Sequence, residues 1–147
     1  YAPLAKVSVL SNASMIHVPE VFEALNKLDQ NILKLDAGTG GMLDLINNPV
    51  KPFDIGDLVA NLKKFNGNLI IQTMFLRGTF KGQVIDNTTD NEVSAWIEHL
   101  LEIKPKMVMI YPIARATPVH NLEKVGSEEL ERIAERVRGA GMTVGVY

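Results

Sequence analysis

The sequence predicts an α/β fold in which about five mostly parallel strands form part of a TIM-like βα barrel, with helices on the outer face. Short apolar runs alternate with amphipathic stretches along all 147 residues, which is typical of a parallel sheet covered by helices. Several predicted strands carry polar side chains on one face, and this suits the interior of a barrel better than a sheet covered on both faces. A closed barrel of this kind needs about eight βα units and roughly 250 residues. We therefore predict a partial barrel, or a piece of a larger one.

The strands are predicted from short apolar runs. They lie at residues 7–10, 32–37, 69–75, 107–113 and 142–146. The longest loops, 77–88 and 114–126, follow the carboxyl ends of two of these strands. Because α/β folds place their sites at that end of the sheet, both loops are candidates for a functional role.

The helices are predicted from apolar residues at helical spacing and from their first residues. Pro19 suits a first helical turn, and a short helix is expected over residues 41–47. Asp54 and Ser127 are expected to cap the helices that follow them. Thr89 and Glu92 fit a capping box, in which the two side chains bond each other's backbone N–H.

The composition is that of a globular domain. The chain is 46% hydrophobic and 22% charged, with a formal net charge of −2, so we expect no general attraction to nucleic acid or to an anionic membrane. No apolar run approaches the roughly 20 residues of a membrane span, and the first residues do not resemble a signal peptide. These features favour a cytoplasmic protein. There are no cysteines, which excludes disulfides and thiolate ligation of zinc or an iron–sulfur cluster by the chain as given.

The segment ILKLDAGTGG, residues 32–41, places two opposite charges inside a predicted strand. Because side chains alternate between the faces of a strand, Lys34 and Asp36 share one face. Polar residues also stand on one face of the next two strands, at Gln72 and Tyr111. Burying such groups is costly unless they pair or bind something. Lys34 and Asp36 therefore either form a structural ion pair or face a zwitterionic or polar ligand.

The glycines of AGTGG allow two interpretations. A D-x-G-x-G-x-G loop after a strand marks Rossmann-like S-adenosylmethionine methyltransferases, but here Met42 stands where the last glycine should be. The dinucleotide pattern G-x-G-x-x-G also fails, because Leu43 occupies its last glycine position. The alternative is a glycine-rich turn that lets the chain leave a strand.

The remaining candidate residues are histidines and one arginine. The spacing of His17, His99 and His120 does not resemble a metal site, and His99 is expected to be solvated because it lies off the apolar stripe of its helix. Arg115 opens the loop after the fourth strand. It could clamp a carboxylate or phosphate, or anchor the loop by a salt bridge.

Four segments occur in an order that resembles a known family. VSVLSNAS, ILKLDAGTGGMLDLINNP, LIIQTMFLRG and MVMIYPIARATP resemble the second half of the radical S-adenosylmethionine (radical SAM) core. The likeness is to the Fe–S oxidoreductase branch, which is similar to glycyl-radical (pyruvate formate-lyase) activating enzymes. It implies a partial barrel that binds S-adenosylmethionine and a [4Fe–4S] cluster. It also implies reductive cleavage of the cofactor to a 5′-deoxyadenosyl radical that abstracts hydrogen from a substrate.

The resemblance also implies which residues contact the cofactor. The position of the family's third-strand end is taken here by Ser11 and Asn12, followed by Ala13 where the family has glycine. Its polar positions on the next two strands correspond to Lys34, Asp36 and Gln72, and the end of its sixth strand, near the adenine, corresponds to Tyr111 and Ile113. Arg115 would face a substrate or cofactor carboxylate. No residue is assigned a catalytic or metal-binding role.

The family holds its cluster with three cysteines on a loop that this chain lacks. We therefore expect residues 1–147 to be the C-terminal portion of a radical SAM partial barrel, inactive alone, without the cluster-binding strands. The substrate, small molecule or protein, is not specified. The alternatives are a Rossmann-like methyltransferase domain and a cluster-free interaction module that self-associates through an exposed sheet edge.

Overall fold

The computed structural model describes residues 4–50, 54–114 and 121–147. In chain order its elements are β1 (Ser8–Ser11), α1 (Pro19–Asn26), β2 (Gln30–Lys34), α2 (Gly40–Asn47), α3 (Ile55–Lys63), β3 (Ile70–Phe80), β4 (Gln83–Asp86), α4 (Asp90–Ile103), β5 (Met107–Pro112), β6 (Leu122–Lys124), α5 (Ser127–Gly139) and β7 (Val144–Val146). None of the described helices is long and apolar enough to cross a membrane.

Five parallel strands form the main sheet, in the order β1-β2-β3-β5-β7. Each strand therefore pairs with the next parallel strand along the chain. This is the strand order of a βα barrel, whereas a doubly wound sheet reverses its order at a switch point. The predicted fold class is confirmed, and the reversal that a Rossmann-like domain requires is absent from these strands.

The two faces of the sheet differ in what covers them. On one face lie fully buried side chains such as Leu33, Ile71 and Val108, which pack in one core with helix residues that include Trp96 and Leu62. The opposite face carries half-exposed side chains, and we call it the open face: Ile32, Lys34, Ile70, Gln72, Met74, Met107, Met109 and Tyr111. The alternation expected of a barrel wall, with helices on one side only, is thus present.

The two long loops were predicted wrongly in part. β3 does not stop near residue 75 but continues to Phe80 and turns back through Lys81 and Gly82 into β4. Both turn residues have positive φ, 50° and 76°, which is the conformation of a two-residue type I′ hairpin turn. β6 then pairs with the other edge of the same β3 extension. A small antiparallel sheet therefore stands where two loops were expected.

The helix starts follow the predictions with one correction. The Asp54 side chain caps α3 by accepting from Asp57 N–H (3.1 Å), and Pro19 is in the first turn of α1. The cap of α5 is Gly126, without a side-chain hydrogen bond, so the prediction that Ser127 caps this helix was wrong. Ser127 is instead the first helical residue.

Candidate functional site

The polar residues of the open face lie side by side across three strands. Lys34 is paired in register with Gln72, and Gln72 with Met109. Lys34 Nζ lies 3.3 Å from Asp36 Oδ2 and 6.0 Å from the centroid of the Tyr111 ring. The face predicted from alternation therefore gathers Lys34, Asp36, Gln72 and Tyr111 at one place, and the ion pair considered for Lys34 and Asp36 is formed.

The two partners of this ion pair differ in their exposure to water. The side chain of Asp36 is 1% exposed and that of Lys34 is 24% exposed. Burial raises the pKa of Asp36, and the Lys34 ammonium and the Met74 N–H only partly oppose this. Burial lowers the pKa of Lys34, but the attraction of Asp36 and Tyr111 outweighs it, so that this pKa is raised. The cost of burial dominates at Asp36 because almost no water reaches its carboxylate.

Side chains replace the backbone ladder where the pairing of β2 with β3 ends. The last backbone bond runs from Leu35 N–H to Gln72 O (3.2 Å). Beyond it, the Thr73 hydroxyl donates to Leu35 O (2.8 Å), and Met74 N–H donates to Asp36 Oδ1 (3.0 Å). These side-chain bonds explain why β2 ends at Lys34 and not at residue 37 as predicted. Asp36 Oδ1 therefore stabilises the pairing of β2 with β3.

Asn87, which the sequence did not single out, completes this network. It is 2% exposed, and its Nδ2 donates to the carbonyls of Asp36 and Met74, each at 2.8 Å. Its Oδ1 accepts from Leu76 N–H, also at 2.8 Å. Both donors and the acceptor of one buried amide therefore join the chain just after β2 to the middle of β3. An asparagine before a helix cap has no sequence signal that distinguishes this role from an ordinary loop residue.

The backbone donors of the glycine loop are used inside the protein. The N–H groups of Gly38 and Thr39 donate to Glu92 Oε2 at 3.0 and 3.1 Å, and the Thr39 hydroxyl donates to Glu92 Oε1 at 2.5 Å. His99 Nε2 lies 2.9 Å from the Gly38 carbonyl, so the prediction that His99 is merely solvated was wrong. These backbone groups already have partners, which favours the structural interpretation of AGTGG over a ligand loop.

Gly38 also permits a close approach of this loop to α4. A Cβ at this position would lie 2.2 Å from the Glu92 carbonyl oxygen and 2.6 Å from the Trp96 nitrogen. Both are backbone atoms of α4 and cannot move aside like a flexible side chain. Gly38 is therefore required for packing between the loop and the helix.

The predicted contacts Ser11 and Asn12 form local hydrogen bonds after β1 and do not join the Lys34–Asp36 pair. Ser11 aligns with Leu33 on the helix-covered face, and its hydroxyl accepts from Ala13 N–H (3.1 Å). Asn12 is exposed, and its side chain bonds Ser14 N–H and the Ser14 hydroxyl. Ile113 is half-buried just after β5, and Arg115 lies outside the described residues.

Ala13, at the position where the resemblance leads one to expect glycine, adopts a left-handed backbone conformation. Its φ is 62°, in the left-handed region that costs an L-residue roughly 1–2 kcal/mol. Its side chain is also buried, at 2% exposure. The turn after β1 therefore keeps a glycine-like shape although alanine occupies it.

Two buried oxygen atoms near Lys34 can each accept a further hydrogen bond. Asp36 Oδ2 faces the Lys34 ammonium without an aligned hydrogen bond, and Gln72 Oε1 has no hydrogen-bond partner among the described residues. Buried acceptors are rarely left unpaired, so a ligand with N–H or O–H donors would satisfy both. Within the same residues, no group of three His, Asp or Glu side chains could hold a metal ion.

Comparison with known sequences gives distant relatives, and no family model matches. The chain is 27% identical to the UPF0026 protein slr1464 of Synechocystis sp. (strain ATCC 27184 / PCC 6803 / Kazusa), over 90% of this chain and 56% of that protein. It is 25% identical to the GTPase Obg of Brachyspira hyodysenteriae (strain ATCC 49526 / WA1), over 86% of this chain and 18% of that protein. The chain thus spans about half or less of the length of these relatives.

Comparison with solved structures shows that the fold of this chain is similar to that of radical SAM enzymes. One similar structure is a domain of pyruvate-formate lyase-activating enzyme from Bacteroides vulgatus ATCC 8482, with a TM-score of 0.69 and 10% identity over 95% of this chain and 80% of that one. Another is a radical SAM methyltransferase from Sphaerobacter thermophilus, with a TM-score of 0.64 and 16% identity over 96% of this chain and 39% of that one. The resemblance predicted from sequence is confirmed at the level of the fold.

Proposed function

We propose that this chain is the C-terminal portion of the barrel of a radical SAM iron–sulfur enzyme. The observation that carries the proposal is the polar group on the open face of a sheet with barrel strand order, formed by Lys34, Asp36, Gln72 and Tyr111. The likeness in fold to radical SAM enzymes supports the class of chemistry. In the complete enzyme, the cluster and S-adenosylmethionine would supply a radical that abstracts hydrogen from a substrate.

The open face suits S-adenosylmethionine in its charge and its hydrogen-bonding groups. The Lys34 ammonium would pair with an anionic group of the cofactor. Its donors would be received by Gln72 Oε1 and by Asp36 Oδ2, which already lies 3.3 Å from Lys34 Nζ. Tyr111 supplies an aromatic surface beside them. The resemblance adds three proposed contacts with the cofactor or substrate: Asn12, Ile113 and Arg115. Arg115 would contact a carboxylate. Ser11 could take part only through its backbone, because its side chain is on the helix-covered face.

The cluster itself does not fit this chain, which has no cysteine. We propose that the ligands belong to a part of the full-length protein outside this sequence, so that this chain alone is inactive. The edge of β1 is consistent with further strands pairing there. Leu4, Val7, Leu10 and Met15 are each more than half exposed on or beside it. Within residues 4–50, 54–114 and 121–147 no further strand pairs with this edge. An apolar edge of this kind is costly in water and favours pairing with another strand.

The test uses the full-length protein, reconstituted with iron and sulfide under anaerobic conditions. With a reductant and S-adenosylmethionine it should form 5′-deoxyadenosine. Gln72→Leu, which removes one free acceptor from the open face, should lower the yield. Met107→Leu, a change of similar size on the same face, is the matched control. Absence of the product from a cluster-loaded protein would count against the proposed function.

The same apolar edge favours a second candidate, a cluster-free module that self-associates through β1. Light scattering of this chain should then show a concentration-dependent dimer, and Val7→Lys at the 56% exposed Val7 should dissociate it, because an edge lysine opposes strand addition. Lys6→Gln, beside it in sequence, is the control. A monomer at all concentrations would rule out this candidate for the isolated chain.

A further inference from the structure

The peptide of Gly38 is held on both sides by helix α4. Its N–H donates to Glu92 and its carbonyl is 2.9 Å from His99 Nε2, while the next residue, Thr39, gives Glu92 two further hydrogen bonds. Glu92 stands three residues after the helix cap Thr89, where a capping box would direct its carboxylate to the cap's own backbone N–H. All the hydrogen bonds that this carboxylate accepts go instead to the loop that follows Asp36.

The backbone of Asp36 is held from the same stretch of chain. Asn87, which precedes α4, donates to the Asp36 carbonyl and to the Met74 carbonyl. The Met74 N–H in turn donates to Asp36 Oδ1. The backbone of Asp36 and of the loop after it is therefore attached to Asn87, Glu92 and His99, while the Asp36 carboxylate itself contacts Met74 N–H and Lys34.

We propose that Glu92 and Asn87 are positioning residues for the Asp36 carboxylate, acting through the backbone of residues 36–39. The inference rests on the proposed function, because the position of Asp36 matters to a ligand only if the open face binds one. Glu92 is only 8% exposed, and a carboxylate is buried at a cost that its hydrogen bonds must offset. The hydrogen bonds of the Glu92 carboxylate go to Gly38 and Thr39, 54 and 53 residues away in sequence. These bonds keep Asp36 buried beside Lys34.

The test compares Glu92→Ala with Glu92→Gln in this chain, following the titration of the Asp36 carboxyl carbon by NMR. Both variants are neutral at position 92, so a difference between them reports the hydrogen-bonded contact and not the lost charge. The glutamine amide introduced by Glu92→Gln keeps an acceptor for the loop, whereas alanine releases the loop and exposes Asp36. The pKa of Asp36 should therefore be lower in Glu92→Ala than in Glu92→Gln, shifted toward its ordinary value. Equal pKa values in the two variants, measured well below their unfolding temperatures, would overturn the proposal.

A measurement on the unaltered chain covers the case in which Glu92→Ala does not fold. The amide protons of Gly38 and Thr39 should exchange with solvent about as slowly as those in the middle of α4, because they open only when the loop leaves the helix. Exchange faster by more than about 100-fold would show a loop that moves independently, and would contradict positioning by Glu92.

A binding measurement on the full-length protein separates this inference from the proposed function. Glu92→Ala should weaken S-adenosylmethionine binding about tenfold relative to Glu92→Gln, which corresponds to about 1.4 kcal/mol. If the cluster-loaded protein binds no S-adenosylmethionine, the proposed function fails, and the Asp36 titration still decides the inference. If both variants bind it equally, the positioning role fails alone.

Discussion

Asp36 is a buried carboxylate whose two oxygen atoms have different roles. Oδ1 accepts the Met74 N–H, which extends the pairing of β2 and β3 by a side chain. Oδ2 faces the Lys34 ammonium and has no aligned donor. Oδ1 therefore stabilises the pairing of the strands, whereas the ion pair with Lys34 and the proposed ligand contact both involve Oδ2.

The pH dependence of stability should report the burial of Asp36. Its pKa in the folded protein is raised above the usual 3.8, so the folded state binds this proton more tightly than the unfolded state. Stability from this group is therefore lost as pH rises from about 3.8 through the raised pKa. Urea unfolding across this window should show the stability of the wild type falling relative to Asp36→Asn. Glu98→Gln, an exposed carboxylate on α4, is the control, and a wild-type advantage that grows with pH would contradict the prediction.

Gly38 and Gly41 should respond oppositely to the same added methyl group. Gly38→Ala meets the backbone of α4 at 2.2 Å and should cost about 2–3 kcal/mol or more. Gly41→Ala lies in α2 with no atom within 4 Å of the new Cβ. It should stabilise the protein by about 0.5–1 kcal/mol, because alanine loses less backbone entropy in a helix. Denaturant unfolding of both variants checks this, and a similar cost at both positions would show that Gly38 has no special packing role.

At the scale of elements, the sequence predicted where strands begin better than where they end. β2 ends early because side chains of distant residues take over its ladder, and β3 runs on because a hairpin and β6 pair with its extension. The Lys81-Gly82 turn had the two-residue length of a hairpin loop, but lysine at the first position is not the usual asparagine or aspartate. The pattern of Thr89 and Glu92 predicted the helix start correctly, while Glu92 itself bonds elsewhere.

The hairpin turn offers a test of its backbone conformation. Lys81 has a φ of 50°, a region that asparagine tolerates and β-branched residues avoid. Lys81→Asn should therefore be more stable than Lys81→Val by about 1–2 kcal/mol. Both substitutions remove the lysine charge and its contacts with Phe80 and Asn48, so each controls for the other. Equal thermal unfolding temperatures for the two would contradict the left-handed conformation at this turn.

At the scale of the whole molecule, strand order decides between the proposed functions more clearly than any motif. A sheet that adds each parallel strand beside the previous one leaves one face free of helices, and that face carries the polar group of the candidate site. The glycine loop that suggested a Rossmann-like methyltransferase has its backbone donors bound to Glu92. The non-enzymatic candidate depends on the other feature of the whole sheet, its unpaired β1 edge.

The isolated chain should not assemble a cluster. After anaerobic treatment with iron and sulfide it should show no visible absorbance of a [4Fe–4S] cluster, because it has no cysteine to supply thiolate ligands. The full-length protein, treated identically, is the positive control. A stable cluster spectrum from this chain alone would overturn the proposal that its ligands lie elsewhere.

The sequence by itself determined the order of the five parallel strands and their helices, the lack of thiolates, and the shared face of Lys34, Asp36, Gln72 and Tyr111. These follow from composition and from the two-residue period of a strand, which are local properties of the chain. Only the tertiary structure decided the partners of the site: Asn87 behind Asp36, Glu92 on the glycine loop, and β6 beside β3. Such contacts join residues that are dozens of positions apart. They depend on how whole helices and strands pack against one another, which the local periodicity of the sequence does not reveal.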